Sequence, residues 1–233
     1  MKIAFSTLGC PEWSWQDIYT MAKDIGFDGI EVRGLGDETI AMKAGPFTDS
    51  QLDKTMAKLS SIGLEIPCFS SGCCLKLSDK LDSTKAELIQ YMSLCKRTGT
   101  PYLRVLADLE PHCCGEVDDD AIAAVLKELV PVAKENNVTL LIETNGVYAD
   151  TARLRTLLDS VASDNVAALW DLHHPYRFMN EEPKTTAANL GSYIKYVHIK
   201  DSIIVDGAVK YRMLGEGDMP IADMIDALKD IGY

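Results

Sequence analysis

Three polar residues close or nearly close three consecutive apolar runs: Glu143 ends TLLIE, Asp171 ends AALWD, and His198 sits inside YVHIKD. Two carboxylates and an imidazole make a hard-to-borderline donor set, suited to one divalent ion among Mn²⁺, Mg²⁺, Co²⁺ and Zn²⁺. Each alone is an ordinary strand-end polar residue. Three successive runs ending alike point to a metal site. Asp171 opens the tetrad Asp171-Leu172-His173-His174. Side chains alternate along an extended segment, so only one of the two histidines is expected to face inward. His174 is the one chosen, to bind substrate or a second metal; a solvent-facing loop histidine is the competing view. Asn145, just past Glu143, is expected either to contact a substrate hydroxyl or to cap the next turn. Lys200 and Asp201 follow His198.

Residues so placed need strands to carry them. Strands are expected at Lys2–Ser6, Gly29–Arg33, Leu64–Phe69, Tyr102–Ala107, Thr139–Glu143, Ala167–Asp171 and Tyr196–Lys200. Most are apolar throughout, as parallel strands covered on both faces are. Amphipathic stretches between them predict helices at Ser14–Ile25, Thr48–Ile62, Ser83–Thr98, Asp118–Asn136, Asp150–Ser163, Thr185–Tyr193 and Ile221–Ile231. Thr48 or Asp49 is the expected N-cap of the second helix, and Pro131 a source of a kink in the fourth. Alternating strands and helices imply parallel strands joined by right-handed crossovers. No GxGxxG follows the first strand and no phosphate-binding GxxxxGK occurs, which removes the best evidence for a nucleotide-binding doubly wound sheet. The expected fold class is α/β, a (β/α) TIM-type barrel with catalytic groups at the C-terminal ends of its strands. No linker or low-complexity segment divides residues 1–233, so one domain is expected.

The 233 residues are 47% hydrophobic and 25% charged, ordinary for a globular domain. The net charge of -12 repels phosphate backbones and argues against nucleic acid as a partner. No apolar run reaches the roughly 20 residues of a membrane span. The start, MKIAFSTLG, reads as a strand and not a signal peptide. Seven cysteines, an odd number with two vicinal pairs, do not resemble a secreted disulfide framework. They are expected as buried thiols in a reducing cytoplasm. Metal binding through Cys73–Cys74 and Cys113–Cys114 lacks any CxxC spacing.

The segment Asp17–Ile30 reads DIYTMAKDIGFDGI and the segment Asp223–Tyr233 reads DMIDALKDIGY. The first copy leads into the second strand, whereas the second ends where an eighth should begin. The expectation is an incomplete barrel of seven strands with its eighth unit truncated. Exposed sheet edges would then invite a homo-oligomer.

The runs LIETNG at 141–146, WDLHHP at 170–175, YVHIKDS at 196–202, LGEGDMPI at 214–221 and GFDGIEVR at 26–33 together resemble the xylose isomerase-like barrel superfamily. The nearest branch is that of sugar phosphate isomerases and epimerases, with tagatose 3-epimerase-like and inosose dehydratase-like members. The resemblance implies one divalent metal held by Glu, Asp, His and a second Glu. The first three map to Glu143, Asp171 and His198; the fourth would fall past Tyr233, which implies an impaired enzyme with weak metal binding. His174 corresponds to the substrate-contacting histidine of a DxxH motif, Arg212 to a basic residue before the LGEGD turn, and Glu31 to an acidic position on the second strand. Arg104 and Lys200 are further substrate-contact candidates. The implied chemistry is proton transfer beside the carbonyl of a sugar or polyol through an enediolate, with Glu143 as general base. Trp13, Trp15, Phe69 and Tyr148 are candidates to stack on a sugar ring. Trp13 is the best placed, while Trp15 keeps the apolar spacing of a core residue.

Rival expectations remain. An inosose dehydratase-like lyase would use the same ligands. A non-catalytic sugar-binding module would need no acid–base pair. An endonuclease IV-like DNA repair enzyme would need many histidines and a basic surface, and the chain has four histidines and is acidic.

Overall fold

The computed structural model describes residues 1–76 and 78–233. The chain forms two compact units, one of Met1–Val105 with Glu128–Leu140 and one of Leu106–Lys127 with Leu141–Tyr233. Among the described residues no helix is long and apolar enough to cross a membrane.

The first unit carries β1 (Ala4–Ser6), α1 (Trp15–Ile25), β2 (Gly29–Glu31), α2 (Leu52–Ile62), β3 (Cys68–Cys74) and α3 (Leu81–Thr98). It also carries most of β4 (Tyr102–Leu106), the second half of α4 (Asp119–Glu135) and the start of β5 (Thr139–Glu143). β1 and β2 are parallel with Ser6 opposite Glu31, and β3, β4 and β5 are neighbours in that order. Ser14 caps α1 by accepting the Asp17 amide, and Gly26 ends it in the left-handed conformation, as capping preferences require. α2 starts later than expected. Thr48 is no cap: its hydroxyl donates to the Gly45 carbonyl and its own carbonyl takes the Gln51 and Leu52 amides, so a separate turn precedes the helix.

β3 is displaced from the expected Leu64–Phe69. Glu65 makes only an isolated bridge to Gly29, and a Cβ on Gly29 would run into the Glu65 carbonyl and the Pro67 ring. Pro67 has no N–H to give, so the ladder resumes at Cys68 and runs on through small residues that carry no strand signature. Behind it stands a row of rings: Trp15, Phe47, Phe69 and Tyr91 meet at 5.2, 5.6 and 6.4 Å between successive centroids. Three of them are fully buried and Trp15 is half-buried. Each buried ring contributes roughly 1.5–3 kcal/mol of apolar transfer.

The second unit carries the first part of α4, the end of β5, α5 (Thr151–Val161), β6 (Val166–Asp171), α6 (His173–Met179), α7 (Pro183–Leu190), β7 (Ile194–His198), β8 (Asp201–Val205), β9 (Ala208–Arg212) and α8 (Ile221–Asp230). β5, β6 and β7 are neighbours in that order. From β5 to β7 strand neighbours thus follow chain order, with α5 between β5 and β6 and α6 and α7 between β6 and β7, as a (β/α) barrel demands. Three features depart from expectation. β7 begins two residues early. The segment after β6 is a helix, where an extended run was expected. β8 and β9 form an antiparallel hairpin turning at Asp206 and Gly207, both with positive φ. That Asp-Gly pair is a strong hairpin signal.

Candidate metal centre

β5 ends at Glu143, β6 at Asp171 and β7 at His198. Asp171 lies opposite His198 in the parallel ladder, and residues paired in this way project from the same face of a sheet. The pairing requires a slip: Ala168 faces Ile194, but Leu169 faces Tyr196, so β7 holds one extra residue, Lys195. One donor atom each from Glu143, Asp171 and His198 lies within 4.8 Å of the others. His198 Nδ1 stands 3.1 Å from Glu143 Oε1 and 3.9 Å from Asp171 Oδ2.

The backbone around the trio is tightly tied. The Asp171 amide donates to Thr144 Oγ1 at 2.9 Å, and that hydroxyl donates to the Asp171 carbonyl at 3.2 Å. The His173 amide donates to Asp171 Oδ1 at 3.0 Å. Asp171 is fully buried, and its Oδ2 has no backbone donor facing it. It meets Lys200 Nζ at 2.6 Å as an ion pair. A buried carboxylate oxygen costs several kcal/mol unless a cation or donors face it. That oxygen, held by an ammonium and turned toward a second carboxylate and an imidazole, belongs to a donor set that fits a divalent ion.

His174 Nδ1 is 2.9 Å from the Thr144 carbonyl. A carbonyl only accepts, so Nδ1 carries the proton and Nε2 keeps a lone pair, which faces Lys200 Nζ at 3.1 Å. Burial pushes the His174 pKa down, in keeping with a neutral ring. Lys200 is half-buried; burial works against its charge, but the Asp171 and Glu143 carboxylates outweigh that and hold its pKa above the ordinary lysine value.

Both tetrad histidines are buried, contrary to the alternation expected of an extended segment and to a loop facing solvent. They open α6, and helical geometry sends His174 to the Thr144 carbonyl and His173 elsewhere. His173 Nε2 lies 3.0 Å from Ser202 Oγ, which also accepts Arg177 Nε at 2.9 Å; Arg177 pairs in turn with Asp218. Burial pushes the His173 pKa down to about 4. No sequence signal distinguished this network from an exposed loop.

Asp201 organises the next segment. Its carboxylate accepts the amides of Ser202, Gly215, Gly217 and Met219. A Cβ on Gly217 would overlap that carboxylate, which accounts for the glycine in GEGD. Asn145 is committed to protein contacts: its Nδ2 lies within 2.8–3.1 Å of the carbonyls of Asp108, Leu109 and Glu110. Arg212 is exposed on β9, the ladder partner of Asp201. Tyr148 is fully buried and donates to Asp119. In the first unit, Glu31 is buried at the end of β2, and Trp13 is exposed. Arg104 donates to the Ser71 carbonyl at 2.9 Å.

The family described as xylose isomerase-like TIM barrel matches residues 20–233. No curated protein matches the chain. Several solved structures share the fold. The IOLI protein with a bound zinc atom is 19% identical, with all of this chain and 86% of that one covered at a TM-score of 0.81. D-psicose 3-epimerase with D-tagatose from Clostridium cellulolyticum H10 is 17% identical, covering 100% and 82% at 0.79. The probable 3-DHS dehydratase AsbF of petrobactin synthesis from Bacillus anthracis is 19% identical, covering 100% and 90% at 0.79.

Proposed function

Because the chain belongs to the xylose isomerase-like TIM barrel family, we propose that it is a divalent-metal-dependent isomerase or epimerase of a sugar or sugar phosphate, moving a proton beside a carbonyl through an enediolate. The carrying observation is the convergence of Glu143, Asp171 and His198 donor atoms within 4.8 Å. These three residues would hold Mn²⁺, Mg²⁺, Co²⁺ or Zn²⁺. When bound, such an ion supplies Lewis acidity to a carbonyl and its neighbouring hydroxyl. Glu143, buried and against His198, is the general base that takes the carbon-bound proton. His174 exchanges the hydrogen bond that its Nε2 accepts from Lys200 Nζ for one from a substrate hydroxyl. Lys200 places positive charge where the oxyanion develops. Arg212, Arg104, Glu31 and Trp13 are retained as substrate-contact proposals. A reducing, cytoplasmic setting is part of this reading, resting on an odd number of cysteines with two vicinal pairs.

Deuterium exchange tests the proposal. With Mn²⁺ and a panel of ketoses in heavy water, the wild type is expected to exchange the proton beside the carbonyl, and Glu143→Gln to lose about 10²-fold or more. No exchange on any ketose, or equal exchange by the variant, would overturn it. A lyase acting on a keto-polyol is the second reading, favoured by the equal likeness to a dehydratase and to an epimerase. It would yield an unsaturated ketone absorbing in the ultraviolet instead of an isomer.

A further inference from the structure

The dipeptide Cys-Cys occurs twice, in two different settings. Cys73 and Cys74 end β3, where successive side chains point to opposite faces, and both are buried. Cys113 and Cys114 lie outside regular structure and are both exposed. The remaining cysteines, Cys10, Cys68 and Cys95, are buried. Buried thiols are inert and exposed ones react. Only the second pair is therefore both accessible and free of the strand alternation that keeps two sulfurs apart.

That pair sits on a loop fastened beside the candidate metal centre. Asn145 Nδ2 holds the Glu110 carbonyl at 2.9 Å, and the Gly146 amide reaches the Pro111 carbonyl at 3.4 Å, directly after Glu143. Next along the loop, the His112 ring packs 6.0 Å from Phe178. Phe178 lies 5.8 Å from His174 and 5.6 Å from His173.

We propose that Cys113 and Cys114 form a second site, a vicinal dithiol that chelates trivalent arsenic, and that filling it is transmitted to His174 through His112 and Phe178. The significance of that transmission rests on the reading of His174 as part of a catalytic centre; the chelation does not. With an aryl arsenoxide the arsenic–oxygen bond breaks and two sulfur–arsenic bonds form. Both thiol protons leave with the oxygen as one water, and no oxidant is needed. The second bond closes intramolecularly, so a pair outbinds a single thiol without further contacts.

The probe is phenylarsine oxide on the full native chain, followed by intact-mass spectrometry. One phenylarsenic group per chain is expected, removable by a small dithiol. Cys113→Ser and Cys114→Ser are expected to bind at least tenfold more weakly, and the double variant not at all. Absence of a one-to-one adduct, or an equal adduct on the double variant, overturns the site. Imidazole resonances measure the coupling: those of His112, His173 and His174 should shift together in the wild type. A shift confined to His112 overturns the transmission. Neither measurement needs turnover, so failure here is separable from failure of sugar exchange.

Discussion

Asp108 anchors the loop that follows Glu143. It is fully buried, and its carboxylate accepts the Leu109 amide at 2.9 Å and the Val147 amide at 3.0 Å. Gly146 lies against it with φ of 58°, and a Cβ there would overlap the carboxylate. Gly146→Ala combines a strained backbone with overpacking, each of order 1–3 kcal/mol. We expect a loss of about 2–4 kcal/mol in urea unfolding; a loss under about 0.5 kcal/mol would show that the loop can yield. The glycine was legible in LIETNG only as part of a pattern. Its physical reason lies in Asp108, on another strand's loop, and no local rule links the two. Asn145 shows the same limit: turn propensity marked the position, but the three carbonyls it serves come from that same distant loop.

At the scale of elements, the 215–219 turn is wrapped on a single carboxylate. Burial of Asp201 opposes its charge, but four backbone amides outweigh this and hold its pKa below the ordinary aspartate value. A depressed carboxyl contributes stability that is full above its unfolded pKa and is lost as pH falls through the folded one. Between pH 5 and pH 2.5, wild type should therefore lose stability faster than Asp201→Asn, and the gap between them should narrow toward acid. Parallel curves in urea melts at each pH would remove Asp201 from this role. Element positions were legible where the apolar runs are long, as in β5 and β6. They failed where structure depends on small residues, as in β3, or on a turn pair, as in the β8–β9 hairpin. α6 was missed because a histidine pair and a proline carry no helical periodicity; tertiary contacts to Thr144 and Ser202 decide its shape.

For the whole molecule, three consecutive strands must be in register before three donors meet, so the unfolded chain has no such site. Binding to the folded state alone stabilises by RT ln(1 + [L]/Kd), about 2.7 kcal/mol at a hundredfold excess over Kd. Thermal melts with Mn²⁺ or Zn²⁺ are expected to rise with concentration and to return to baseline with a chelator. Asp171→Asn should abolish most of the rise; an undiminished rise would place the ion elsewhere. The net charge of -12 attracts cations over distances that salt screens, so the apparent affinity should weaken as ionic strength increases. The convergence of Glu143, Asp171 and His198 was legible because strand ends in this architecture face one rim. The arrangement behind it, His173 with Ser202 and Arg177 with Asp218, was not, since its members gain meaning only from packing.

Lys195 is exposed, yet its backbone sets the alignment of the three donors. Were the ladder to continue from Ala168 and Ile194 without the slip, Asp171 would stand beside Val197, and the imidazole would be turned to the opposite side of its strand. The residue thus matters by being present and not by what it is. Exchanging its side chain for almost any other should pass unnoticed, whereas excising that one position would take the imidazole out of reach of both carboxylates. Substitution scans are blind to such a dependence; a single-codon deletion is not.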